Sequence, residues 1–125
     1  MAAERRSCPR YPLDCIVMVA APPAGEFEAV AINISLVSMQ IGCNAALVSA
    51  LQKQPRLPYN CRLQFVLEDC AFDVDAQLIT WRRLSHEKYV LALRLRHADD
   101  SRQALLESRI GQLASRMAGD SGRPQ

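Results

Sequence analysis

The sequence predicts a mainly β fold, a six-stranded antiparallel β-barrel followed by a C-terminal α-helix. Three observations carry this reading. Short segments between residues 15 and 98 alternate apolar and polar side chains with a period of two. Turn-forming residues punctuate those segments. Beyond residue 99 the apolar spacing changes to three and four, as on one face of a helix. A chain of 125 residues fits one domain with one core. The expected organisation is a flexible arginine-rich arm over residues 1–14, the barrel over 15–98, an amphipathic helix over 99–118, and a disordered tail over 119–125.

Pro9, Pro12 and the arginines make the arm polar and extended. Residues 16–21 form an apolar run suited to a strand, and Pro22-Pro23-Ala24-Gly25 turns the chain. Residues 26–34 alternate, with Glu28, Val30, Ile32 and Ile34 on one face and Phe27, Ala29, Ala31 and Asn33 on the other. A polar turn over 33–38 leads into a strand over 39–43. Asn44 is placed to cap a short helix reaching Lys53, because Ala45, Ala46, Leu47, Ala50 and Leu51 favour helix. Residues 54–60 are a loop. Three strands follow. In 61–68, Cys61, Leu63, Phe65 and Leu67 share a face. In 72–81, Phe72, Val74, Ala76 and Leu78 oppose Asp73, Asp75, Gln77, Ile79 and Trp81. In 88–96, Tyr89, Leu91, Leu93 and Leu95 point one way. Asp99, Asp100 and Ser101 offer an N-cap to the last helix. Leu105, Leu106, Ile110, Leu113 and Met117 form its apolar stripe, and Gly119 and Gly122 stop it.

Composition narrows function. A net charge of +2 is too small to draw nucleic acid or membrane by field alone. The basic residues are arginines except for Lys53 and Lys88. The five cysteines, Cys8, Cys15, Cys43, Cys61 and Cys70, are odd in number and show no C-x-x-C spacing. They read as reduced thiols of a cytoplasmic protein and not as a zinc site. The first residues carry no apolar signal-peptide core, and no run reaches membrane-span length. For catalysis the chain is poor. His86 and His97 lack an identifiable partner, and Asp73 with Asp75 reads as a solvated strand face. Neither a P-loop nor a G-x-G-x-x-G loop is present. The expectation is a protein that is no enzyme and takes no cofactor or metal.

Two clusters suit a ligand. Arg5, Arg6 and Arg10 place three cationic forks on the arm, and each fork can neutralise phosphate or stack on a purine. Asn33 with Ser35 and Ser38 puts an amide and hydroxyls at a strand end, where an amide can read a base edge. An anionic ligand bearing bases fits both. So does plain solvation of a terminus combined with turn chemistry.

These residues also carry a resemblance. Glu4-Arg5-Arg6-Ser7-Cys8-Pro9-Arg10 is similar to the R-x-x-x-R motif that opens PilZ domains, with Arg6 and Arg10 as its arginines. Asn33-x-Ser35-x-x-Ser38 is similar to that family's [D/N]-x-S-x-x-G motif. Residues 78–83 and the strand after them resemble its closing hairpin. The resemblance covers roughly residues 4–97. It implies a barrel that binds cyclic di-GMP on its outer surface. Arg6 and Arg10 would meet phosphate and guanine, and Asn33 and Ser35 the other guanine. Arg5 would accompany two intercalated nucleotides. Trp81 is left with two places, against a guanine or under the C-terminal helix. Ser38 stands where the motif has glycine, which permits positive φ and close approach to a ligand. Ala92 stands where relatives often have glycine, a packing change.

The resemblance further implies an adaptor without attached output. It would act through an unidentified effector protein in motility, surface attachment or exopolysaccharide production, as a monomer or homodimer. It would not insert into a membrane or bind a nucleic acid polymer. The alternative is a PilZ-like interaction module that does not bind the nucleotide. A small barrel binding RNA or DNA is disfavoured by the sparse aromatics and small charge.

Overall fold

The computed structural model describes residues 8–122. Its elements run β1 (Tyr11–Pro12), β2 (Ile16–Ala20), β3 (Glu26–Ile34), β4 (Ser38–Cys43), α1 (Ala45–Gln52), β5 (Asn60–Leu67), β6 (Cys70–Arg83), β7 (Tyr89–Arg96) and α2 (Asp100–Gly122). The sheet order is β1-β3-β2-β5-β6-β7-β4, and β3 also pairs with β4. That last pairing closes β2 to β7 into the six-stranded antiparallel barrel expected, with β1 as a short addition. Closure removes most open strand edges.

Alternation builds the interior. Val17 and Val19 of β2, Leu63 and Phe65 of β5, Phe72 and Val74 of β6, and Leu91 and Leu93 of β7 all point inward and are buried. Phe65 and Phe72 face each other across β5 and β6 with ring centroids 5.5 Å apart. Asn44 caps α1 as expected, its side-chain oxygen accepting from the N–H groups of Ala46 and Leu47 at 3.1 and 3.4 Å. Leu47 and Leu51 of α1 are fully buried in the core.

The α2 helix is capped by Asp99, whose side chain accepts from Arg102 N–H at 2.8 Å. Leu106, Ile110 and Leu113 bury its apolar stripe in the core cluster. Its outer arginines reach the β5–β6 hairpin. Arg109 donates to the Glu68 carbonyl at 3.2 Å, and Arg116 pairs with the Glu68 carboxylate. The helix runs to Gly122, past residue 118, because a glycine such as Gly119 costs a helix only about 1 kcal/mol.

The arm ends earlier than residue 14. Tyr11–Pro12 pairs with β3, Leu13 N–H donates to the Ile32 carbonyl at 2.9 Å, and Tyr11 and Leu13 pack against the core. Proline is tolerated at such an edge because it has no N–H to offer.

Two β-bulges depart from simple alternation. One lies between Ala31 and Asn33 of β3, the other between Leu78 and Thr80 of β6. Each inserts an extra residue and so exchanges the faces beyond it. In β3, Ala29 and Ala31 point inward, then Ile34 does so instead of Asn33. In β6, Trp81 pairs with the inward-facing Leu91, whereas alternation placed it with Asp73 and Asp75.

Candidate functional site

The first bulge sets the site. It turns Asn33 outward, opposite Gln40 of β4. Gln40 pairs with Ala92 of β7, and Ala92 pairs with Thr80 just past the second bulge. Pro12 flanks Asn33 on the other side. A transverse row of Pro12, Asn33, Gln40, Ala92 and Thr80 therefore crosses the outer face of four strands and β1. One step along, Ser38, Arg94 and Gln77 form a second row.

Asn33 Nδ2 donates to Gln40 Oε1 at 2.9 Å, while Asn33 Oδ1 is buried with no partner among the described residues. An amide with one end tied and the other unpartnered is oriented and keeps an unused acceptor.

The 35–38 turn is held internally. Ser35 is 1% exposed, and its Oγ accepts from the N–H groups of Val37 and Ser38 at 3.2 and 3.1 Å. It lies 3.0 Å from Ser38 Oγ. Ser35 N–H donates to the Ser38 carbonyl at 2.8 Å. The Ser35 hydroxyl is thus committed to building the turn. Positive φ among non-glycine described residues occurs only at Glu68 and Asp69, so Ser38 occupies its place without the strain that a left-handed position would impose. It pairs with Arg94 as the first residue of β4. From the barrel end, His97 Nε2–H donates to the Leu36 carbonyl at 2.7 Å, and Leu95 N–H donates to Val37 O at 2.9 Å. These two bonds fasten the turn to β7.

Arg10 is exposed, and β1 runs antiparallel to β3 with Tyr11 opposite Ile34. Arg10 is the next residue beyond that pairing, on the side of the Ser35 turn. Arg94, also exposed, approaches the same turn from β7. Arg5 and Arg6 lie outside the described residues. Trp81 is 40% exposed and borders a depression formed by Gln40, Thr80, Arg82, Val90 and Ala92, to which α2 contributes nothing. Its strand partner is the inward-facing Leu91, so past the bulge Trp81 stands on the face opposite that of Thr80 and Ala92.

Of the expected residues, the structure holds Asn33, Ser35 and Ser38 together at one strand end and leaves Arg10 exposed one residue before β1, while Trp81 lies across β6 from Thr80, on the other face. Sequence reasoning missed Gln40, Arg94 and His97. The first two are found only through register. His97 looked partnerless because its partner is a backbone carbonyl 61 residues away.

Elsewhere the polar chemistry is structural. Arg62 Nε lies 2.6 Å from Asp73 and 3.6 Å from Asp75, so those carboxylates share a cation. Among the described residues no three His, Cys, Asp or Glu side chains gather as a metal site. Burial pushes the Cys43 thiol up to about 11 and, with help from Asp75, the Cys61 thiol up to about 12. No described helix is long and apolar enough to cross a membrane.

No family model matches the chain, and no curated protein matches it in sequence. Solved structures do. The PilZ domain with c-di-GMP of YcgR from Escherichia coli superposes with a TM-score of 0.71 at 15% identity, over 96% of this chain and 99% of that one. The Borreliella burgdorferi PlzA protein in complex with c-di-GMP gives 0.66 at 14% identity, over 99% of this chain and 57% of that one. The Bacillus subtilis inhibitor of motility, MotI, gives 0.64 at 19% identity, over 89% and 52%. This chain thus spans little more than half the length of PlzA and MotI. The fold is that of PilZ domains.

Proposed function

We propose that this protein is a cytoplasmic cyclic di-GMP receptor that does no chemistry of its own and acts through an effector protein. The observation that carries this reading is the Asn33–Ser38 strand end on the barrel, beside the β1 strand that Arg10 precedes. Both motifs of the PilZ resemblance border that region, in a fold whose YcgR and PlzA examples hold c-di-GMP. In this reading Arg10, with Arg6 and Arg5 before it, neutralises phosphate and stacks on guanine. Arg94 adds a cation from β7. The buried, unpartnered Asn33 Oδ1 accepts from a guanine edge once the site opens to the ligand, and the turn presents its backbone. Motility or exopolysaccharide control is the output this reading favours, and MotI, named for motility, is consistent with it.

The test compares the wild type with Arg6→Ala, Arg10→Ala and Asn33→Ala by equilibrium dialysis against labelled cyclic di-GMP. Each substitution lowers affinity about tenfold or more, the scale of a lost charge-assisted or base-reading hydrogen bond. Undiminished affinity in all three variants would place the nucleotide elsewhere. The second reading, a PilZ-like module that binds protein and not nucleotide, has one observation in its favour. The Ser35 hydroxyl and the Asn33 amide nitrogen are already engaged within the protein.

A further inference from the structure

The barrel closes unevenly at β6. Strand β5 begins at Asn60, opposite Gln77, and the Leu78 N–H still bonds to the Tyr59 carbonyl at 2.9 Å. Beyond that point β6 runs on through residues 79–83 with β7 on one side only. Among the described residues no backbone group of 79–83 bonds to any segment other than β7. Among the described residues the result is an open strand edge five residues long.

The side chains on this edge share a character. Ile79 is 53% exposed and Trp81 40%, next to Arg82 and Arg83, which are also exposed. No carboxylate of the described residues lies within ion-pair distance of either arginine. Arg83 instead contacts the Ser85 carbonyl at 3.0 Å and His86 at 3.3 Å, both in its own hairpin loop. The edge carries two of the usual protections, the bulge at its start and the charged Arg82 and Arg83, but neither proline nor, among the described residues, a covering loop. An unpaired row of N–H and C=O groups with an apolar ring and two cations accepts an added strand of opposite character.

We propose that residues 79–83 of β6 are the docking edge for an extended, acidic segment of a partner protein, added to the sheet antiparallel to β6. The main chain supplies affinity by completing the ladder. An apolar residue opposite Trp81 and two adjacent carboxylates opposite Arg82 and Arg83 supply specificity. A second copy of this chain is a poor occupant. Pairing two such edges gathers four guanidinium groups in a ladder of five residues, where like charges destabilise. This surface does not require the nucleotide reading, although Thr80 belongs both to the edge and to the row that begins at Asn33.

The experiment follows backbone amides of the full chain by NMR without nucleotide. The probe is a capped peptide that begins with two adjacent glutamates and continues in alternating valine and threonine. One control carries lysines in place of the glutamates, and another carries proline at its centre. The acidic peptide slows hydrogen exchange at the amides of 79–83 and shifts their resonances. The lysine and proline peptides bind about tenfold more weakly or not at all. In the Arg82→Glu/Arg83→Glu double variant, with its melting temperature checked against the wild type, the preference inverts toward the lysine peptide. Equal binding of all three peptides, protection elsewhere on the barrel, no binding at millimolar peptide, or protection of 79–83 by self-association of the free protein each overturns the proposal.

Discussion

At Ser38 the motif glycine is replaced without backbone strain. The residue has no positive φ, and its hydroxyl contacts that of Ser35. Ser38→Gly therefore removes a contact and adds chain entropy to the unfolded state, lowering stability by about 0.5–1 kcal/mol in denaturant titration. Nucleotide affinity in that variant stays within about threefold of the wild type, whereas a large gain would mean that the serine obstructs the site. The thiols give a second prediction at this scale. Cys61 holds its proton to about pH 12 in the folded protein, but in the unfolded chain it loses it near its ordinary value of 9.0. The unfolded state then binds fewer protons, so stability falls as pH rises between those values, by about 1.4 kcal/mol per pH unit for this thiol. Cys43 adds to the fall up to about pH 11. Denaturant melts of Cys61→Val across pH 8.5–10.5 follow a flatter curve than the wild type. Parallel curves would contradict the assignment.

Among the elements, the β5–β6 hairpin and α2 are coupled through Glu68. The two-residue turn places Glu68 at φ 48° and Asp69 at φ 64°, a left-handed pair that such hairpins favour but that glycine fills with less strain. Asp69→Gly raises stability by about 1 kcal/mol in thermal or denaturant unfolding. Leu106 of α2 is fully buried, and Leu106→Ala costs about 2–5 kcal/mol. A loss below 1 kcal/mol would mean that α2 is only loosely seated on the barrel. This scale also shows what the sequence discloses. The β strands from β2 to β7, both helix caps and most inward faces follow from alternation, because period-two patterning reports a half-buried sheet directly. The bulges do not, since one inserted residue leaves no mark in composition. They reverse the faces of Asn33, Ile34 and Trp81, and they set the partnership of Asn33 with Gln40. β1 was hidden for another reason. A two-residue strand containing Pro12 has no period to detect, and it forms because the rest of the barrel offers an edge.

Over the whole molecule, the closed barrel is a rigid frame with its interior filled by side chains, which leaves the outer surface to bind. The candidate site was legible as two short motifs. That the strand after Arg10 runs beside the second motif was not, because it depends on the register of β1 on β3. The fold shared with YcgR and PlzA extends over nearly all of this chain at about 15% identity, as expected where alternation and turn placement, and not particular side chains, specify the barrel. Calorimetric titration of the full chain with cyclic di-GMP, with GMP as control, tests the receptor claim most directly. The account predicts saturable binding of cyclic di-GMP that GMP does not match, with a stoichiometry of two if Arg5 takes part. Absence of heat together with an unchanged melting temperature at high ligand concentration would contradict it and leave a protein-binding module.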